Sequence, residues 1–304
     1  MALTDHVPGR LRRAVKPLYP LARALDLWSG AGGTRMSAAM SFYGILSLAP
    51  LLLAIVAVLG WWLDRSLLEQ GLLQQFRQVM GPQAGGLIEQ ALASAREPAQ
   101  GVAASIIGFI VLVFGATGVF GELQNAFELV WSHGRPPPPK PPWWHTATVR
   151  LRGLGYILVF GFLLLVTLVV STVLTLFNGW AGGRESLEFV ARVLSELIGF
   201  LVCAALFTGL MRLSGGHKPR LRFLVFGGFI GAILFTIGRQ ALILYLAKAA
   251  VVSSYGAAGS LIVLLMWIYF SSAVLLFGAG CARALEEYVA EREATPPLPR
   301  MHPG

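Results

Sequence analysis

From Met36 to Leu63 the chain carries no charged side chain, and the same holds from Ala257 to Ala282. Crossing a hydrocarbon core of about 30 Å takes roughly 20 apolar residues in a helix. Such a run must also satisfy its own backbone, because lipid offers no hydrogen-bond partner. The predicted fold class is therefore all-α, a polytopic membrane helix bundle. Further apolar runs cover 102–121, 153–178 and 223–247, the last broken only by Arg239. The shortest, Leu197 to Met211, crosses only if it extends back through Glu196 to Arg192, giving a span at 192–211. Six transmembrane helices result: 36–63, 102–121, 153–178, 192–211, 223–247 and 257–282.

Composition agrees: 56% of residues are hydrophobic and 13% charged, against about 25% charged in a soluble domain. The net charge of +9 raises nucleic acid as a partner only if the cations lie evenly along the chain. They do not. With six spans and the N-terminus inside, seventeen of the 24 Lys and Arg fall in inner segments, six in outer ones, and Arg239 within a span. Basic residues near span ends resist translocation, so this asymmetry places both termini in the cytoplasm. A re-entrant fourth segment would put Arg212, Lys218, Arg220 and Arg222 outside, which argues for a true span. No nucleic-acid partner is expected. The basic inner segments suit a phospholipid membrane with anionic headgroups.

Three regions follow: a basic interfacial arm at 1–35, broken by Pro8, Pro17 and Pro20; the transmembrane domain at 36–285; and a charged, Pro-rich tail at 286–304. No cleavable signal peptide is expected, because the first apolar run is too long for one. The outer loop at 64–100 has Leu67, Leu68, Leu72, Leu73, Phe76 and Met80 at near-helical spacing, predicting short amphipathic helices. The run from Pro136 to Pro142 reads as a stiff spacer, with a docking ligand as the alternative. Trp61, Trp62, Trp131, Trp143, Trp144 and Trp180 lie at predicted span edges, the level of an aromatic belt.

Nothing in the sequence points to catalysis. The five histidines lie in loops or termini without ligand spacing, and no nucleophile elbow or Walker lysine is present. Cys203 and Cys281 form no metal pattern. No catalytic residue, metal or cofactor is expected. Gly30-Ala31-Gly32-Gly33 is read as a break before the first span, since no strand precedes it.

The informative residues are the polar ones at membrane depth. Arg239 lies about sixteen residues into its span, roughly 24 Å along the helix, where an arginine costs about 2.5–3.5 kcal/mol on insertion scales. Its natural partner is Glu196, the acidic residue at similar depth, with Arg192 one turn away. Two readings stand: an anion or lipid-headgroup site, or a structural ion pair between helices. Glu122 and Asn125, three apart, can both turn into the bundle or simply solvate the helix end. Ser37, Ser41, Ser47, Ser271 and Ser272 are candidates for bonds between helices, and Gly115, Gly118 and Gly121, Gly227 and Gly231, and Gly278 with Ala282 for close helix approach. Pro50 is expected to kink the first span.

These motifs together resemble the YihY/BrkB family. The resemblance rests on Met36-Ser-Ala-Ala-Met-Ser-Phe-Tyr-Gly-Ile-Leu-Ser-Leu-Ala-Pro50, on Tyr255-Gly-Ala-Ala-Gly-Ser, on Trp267-Ile-Tyr-Phe and Leu276-Phe-Gly-Ala279, on Gly227-Gly-Phe-Ile-Gly-Ala232, and on Asn125 with Trp131. It extends from about residue 28 to 288. Many members carry an acid where this chain has Gly280. The resemblance implies a bacterial inner-membrane protein linked to envelope integrity, with handling of lipids or lipopolysaccharide precursors suggested for some members. The family's old ribonuclease BN label finds no metal cluster or acid–base pair here to support it. A transporter or flippase-like handler of a lipid or amphipathic anion is thus the leading expectation, and a non-transporting scaffold for envelope complexes the alternative. The sequence leaves the oligomeric state undetermined.

Overall fold

The computed structural model describes residues 19–59, 64–80, 102–132, 185–214, 218–248 and 259–294, with 88, 89 and 93 besides. The expected span at 153–178 and the Pro-rich loop lie outside the described residues. Seven helices are described: α1 (Tyr19–Gly30), α2 (Gly33–Leu59), α3 (Arg65–Met80), α4 (Val102–Ser132), α5 (Glu185–Leu213), α6 (Leu221–Lys248) and α7 (Gly259–Ala294). No strand occurs among the described residues. Within α5, α6 and α7 the segments Glu196–Leu213, Leu221–Leu246 and Gly259–Glu293 are long and apolar enough to cross a membrane.

The long helix α7 organises the bundle. Its 36 residues reach about 54 Å at 1.5 Å per residue, and it packs against α6, α1, α2 and α4. The other extensive contacts are α2 with α4 and α5 with α6. The main core is built from Met36 and Met40 of α2, Leu123, Phe127 and Trp131 of α4, Met211 of α5, Leu224 of α6, and Leu276 and Ala279 of α7.

Small residues set the helix spacing. A Cβ at Gly115 would lie 2.8 Å from the Ser47 Cβ, and one at Gly118 would enter the Tyr43 ring, so α2 and α4 meet there. Gly228 abuts Thr208 and the Ala204 carbonyl on α5. Gly227 abuts the Gly278 carbonyl and Ala282 on α7. In lipid, where apolarity supplies no net attraction between helices, such approach is the source of packing energy.

The serines behave differently from expectation. Ser37 donates to the Gly33 carbonyl at 2.7 Å, Ser41 to Ala38 at 2.8 Å, Ser47 to Gly44 at 3.0 Å and Ser271 to Trp267 at 2.8 Å. Each hydroxyl is satisfied within its own helix, where a carbonyl three or four residues back is the nearest acceptor.

Residues 19–30 of the basic arm form a helix that packs on α7, with Ala24 and Leu27 fully buried. It joins α2 through Ala31 and Gly32, whose φ of 70° is the left-handed geometry that ends a helix at a glycine. The Gly30–Gly33 segment is thus a helix–helix corner. Trp131, placed by its position in the aromatic belt, instead is 2% exposed, stacked on Phe127 at 5.1 Å between ring centroids. Finally, α2 remains helical through Pro50, and Asp64 caps α3 by accepting from the Ser66 N–H at 2.8 Å. Leu72 of α3 is buried against Leu52 and Ile88.

Candidate functional site

Arg239 stands in α6 with its side chain 19% exposed, and its Nη2 donates to Glu196 Oε2 on α5 at 3.2 Å. The two residues meet because α5 and α6 run in close contact, through Gly228 against Thr208 and Gly231 against Phe207. The pair is asymmetric. The Glu196 side chain is 62% exposed on a face of α5 that also presents Val193, Leu197 and Leu201. The Arg239 Nε is buried without a hydrogen-bond partner among the described residues. A guanidinium has five N–H donors, so this arginine retains donor capacity beyond its bond to Glu196. Arg192 lies one turn before Glu196 in α5, and its side chain is outside the described part of the structure.

The polar residues near the end of α4 are turned away from the core. Leu123, Ala126, Phe127, Val130 and Trp131 form the buried face, while Asn125 is exposed and Glu122 half-buried. The 3.6-residue period explains this: a helix has one inward stripe, and the large apolar residues occupy it. Glu122 and Asn125 therefore lie off the buried face of α4. Among the described residues no group of His, Cys, Asp and Glu is placed to hold a metal, and Cys203 and Cys281 are both free thiols.

A second charged centre lies at the end of the bundle where α6 begins. Arg283, the first charged residue of α7 after the charge-free run at 257–282, has a side chain 8% exposed. Its Nη1 donates to Glu286 Oε2 at 2.7 Å, and its Nε lies 3.2 Å from Glu287 Oε1. Glu287 Oε2 also accepts from the Arg23 Nε of α1 at 2.9 Å. Glu286 Oε1 accepts from the backbone N–H of Arg220, just before α6, at 3.3 Å. One network thus ties α1, the start of α6 and α7. A reading of Arg23 and Arg283 as topogenic charges misses it. The i, i+3, i+4 spacing of Arg283, Glu286 and Glu287 is the available local signal.

An all-helical bundle with membrane-length apolar helices, glycine-lined contacts and ionised groups along α6 defines a polytopic membrane protein. The family model for Virulence factor BrkB matches residues 24–302, nearly the whole chain, and the chain belongs to that family. Similar proteins are named UPF0761 membrane proteins. The one from Azoarcus sp. strain BH72 is 24% identical over 270 residues, 87% of this chain and 63% of that one. The one from Aeromonas salmonicida is 24% identical over 253 residues, 82% of each chain. The one from Psychromonas ingrahamii is 34% identical over 109 residues, 36% of this chain and 37% of that one. The chain spans less than two thirds of the length of several relatives it matches. No solved structure matches.

Proposed function

We propose that this chain is a bacterial inner-membrane protein with both termini cytoplasmic, supporting envelope integrity as a transporter or flippase-like handler of a lipid or amphipathic anion, and not an enzyme. The observation that carries this reading is the Arg239–Glu196 pair. An arginine within a membrane-length apolar helix is costly to insert, and a pair with an exposed carboxylate typically returns only about 0–1 kcal/mol in water. A glutamine at 239 would be cheaper for the bundle. A partly exposed cation with donor capacity beyond its single bond to Glu196, beside a lipid-accessible helix face, suits transient capture of an anionic group, with Glu196 holding it between captures.

The test is complementation of a bacterial strain lacking its own copy, scored as survival in bile salts at matched expression. Arg239→Gln is expected to fall near the empty-vector level. The charge exchange R239E/E196R is expected to stay there, because capture needs the cation on α6. Full survival of Arg239→Gln would overturn the assignment. Recovery by the exchange would make the pair a structural tie and favour the scaffold, whose own mark is loss of function on deleting residues 67–96.

A further inference from the structure

At the end of the bundle where α6 begins, a cleft of about 280 Å³ is lined by Arg220, Arg222, Phe223, Arg283, Glu286 and Glu287, with Glu293 at its side. Its charges are unequally committed. Glu286 and Glu287 are occupied by Arg283, by Arg23 and by the Arg220 backbone N–H. Arg283 is buried and held by both carboxylates. The guanidinium groups of Arg220 and Arg222 belong to exposed residues and have no ion pair among the described residues. Arg222 lies over the Phe223 ring, 4.5 Å from its centroid. The cleft also sits at the N-terminus of α6, a helix of 28 residues, whose first turn carries partial positive charge.

We propose that this cleft binds a phosphate-bearing anion, with Arg220 and Arg222 as its ligands and the Phe223 ring as one wall. Two guanidinium forks beside a helix start repel a cation, and both can be engaged by the several oxygens of one phosphate group, whereas one fork already saturates the two oxygens of a carboxylate. Arg283 pairs with both carboxylates of the lining, Glu286 and Glu287, and Glu286 fixes the start of α6 against α7 through the Arg220 N–H. The cleft lies where the charge-free run of α7 gives way to charged residues from Arg283 on, so the phosphate is that of a lipid headgroup or of a soluble compound. The cleft is independent of the Arg239 reading, which concerns a position 17 residues further along α6, about 25 Å away.

Native mass spectrometry of the purified full chain in detergent tests it, with short-chain phosphatidylglycerol, phosphatidylcholine and glycerol 3-phosphate as probes. Phosphatidylglycerol is expected to bind about tenfold more tightly than phosphatidylcholine, whose ammonium offsets its phosphate. R220Q/R222Q is expected to weaken it about tenfold, and the control R35Q/R212Q by less than about twofold, because charge outside the cleft is screened. E293Q, which removes an opposing charge at the same cleft, is expected to tighten binding about threefold. Phosphatidylglycerol binding untouched by glycerol 3-phosphate assigns a lipid headgroup, and effective competition by glycerol 3-phosphate assigns a soluble phosphate. Equal binding of the two lipids without glycerol 3-phosphate binding, or equal weakening by the cleft and control pairs, would overturn the site. Should R220Q/R222Q fail to fold, E293Q decides: no tightening overturns it.

Discussion

Gly227→Leu is expected to leave little folded protein in a detergent extract, with about 3 kcal/mol lost where unfolding can be followed, the upper part of the range for overpacking. The reason lies in what a Cβ there would meet: the Gly278 carbonyl, the Ala282 Cβ at 2.8 Å and the Ala282 nitrogen at 3.2 Å. Two of these are backbone atoms of α7, so no rotamer change relieves the clash. The helices must part, and Leu224, Leu276, Ala279 and Ala282 in the shared core part with them. Gly121→Ala and Gly209→Ala are the matched comparison, because nothing lies within 4 Å of a Cβ at either position. Each is expected to change stability by less than about 1 kcal/mol, in the stabilising direction, since alanine is the better helix former. Unfolding in mixed micelles, with size-exclusion profiles of the extracts, measures both. A Gly227→Leu protein as stable as Gly121→Ala would mean that α6 and α7 are not in backbone contact.

The contact at Gly227 is legible in the amino-acid sequence because lipid narrows what a chain can do. Apolar runs must be helices there, and small residues four apart are the means by which such helices approach. For the same reason the expected extension of the short fourth run holds: α5 is helical back past Arg192. Arg239 pairs with Glu196 as expected because few carboxylates share its depth. What depends on helix phase or on a distant partner is less legible. Trp131 follows the belt rule by its height along the helix, but its side of the helix points to Phe127 and the core. The serines suit bonds between helices by composition, yet Ser37, Ser41, Ser47 and Ser271 each donate to a carbonyl of their own helix.

The basic arm shows the same limit. Prolines 8, 17 and 20 suggest broken chain, yet Pro20 falls in the first turn of α1, where a missing N–H costs nothing. What gives that helix its place is Gly280, where a Cβ would lie 2.8 Å from the Ala24 carbonyl. An acidic side chain at that position would have to displace α1. The glycine at 280 and the docking of α1 are therefore one feature, visible only when residues 24 and 280 are brought together.

Arg283→Met is expected to destabilise the bundle by about 2–3 kcal/mol, just below the range for breaking a buried ion pair by removing one partner. The reduction follows from exposure: Glu286 and Glu287 keep 24% and 21% of their side-chain surface, so water recovers part of their solvation. Glu287 also retains Arg23. Most of the penalty therefore falls on Glu286, left with the Arg220 N–H alone. Arg283→Lys is expected to recover less than half of the loss, because one ammonium cannot reproduce the Nη1 and Nε contacts made by the guanidinium to two carboxylates. The triple variant R283M/E286Q/E287Q is expected to be more stable than Arg283→Met alone, since it removes the uncompensated charges that the single substitution creates. That ordering separates two accounts of the network. If the arginine stabilises by filling space between α1, α6 and α7, methionine does nearly as well and the glutamines add nothing. If it acts by neutralising carboxylates that position the start of α6, the single variant is the least stable of the set. Thermal unfolding of all three in one detergent reads the order directly, and a triple variant no better than Arg283→Met would refute the electrostatic account.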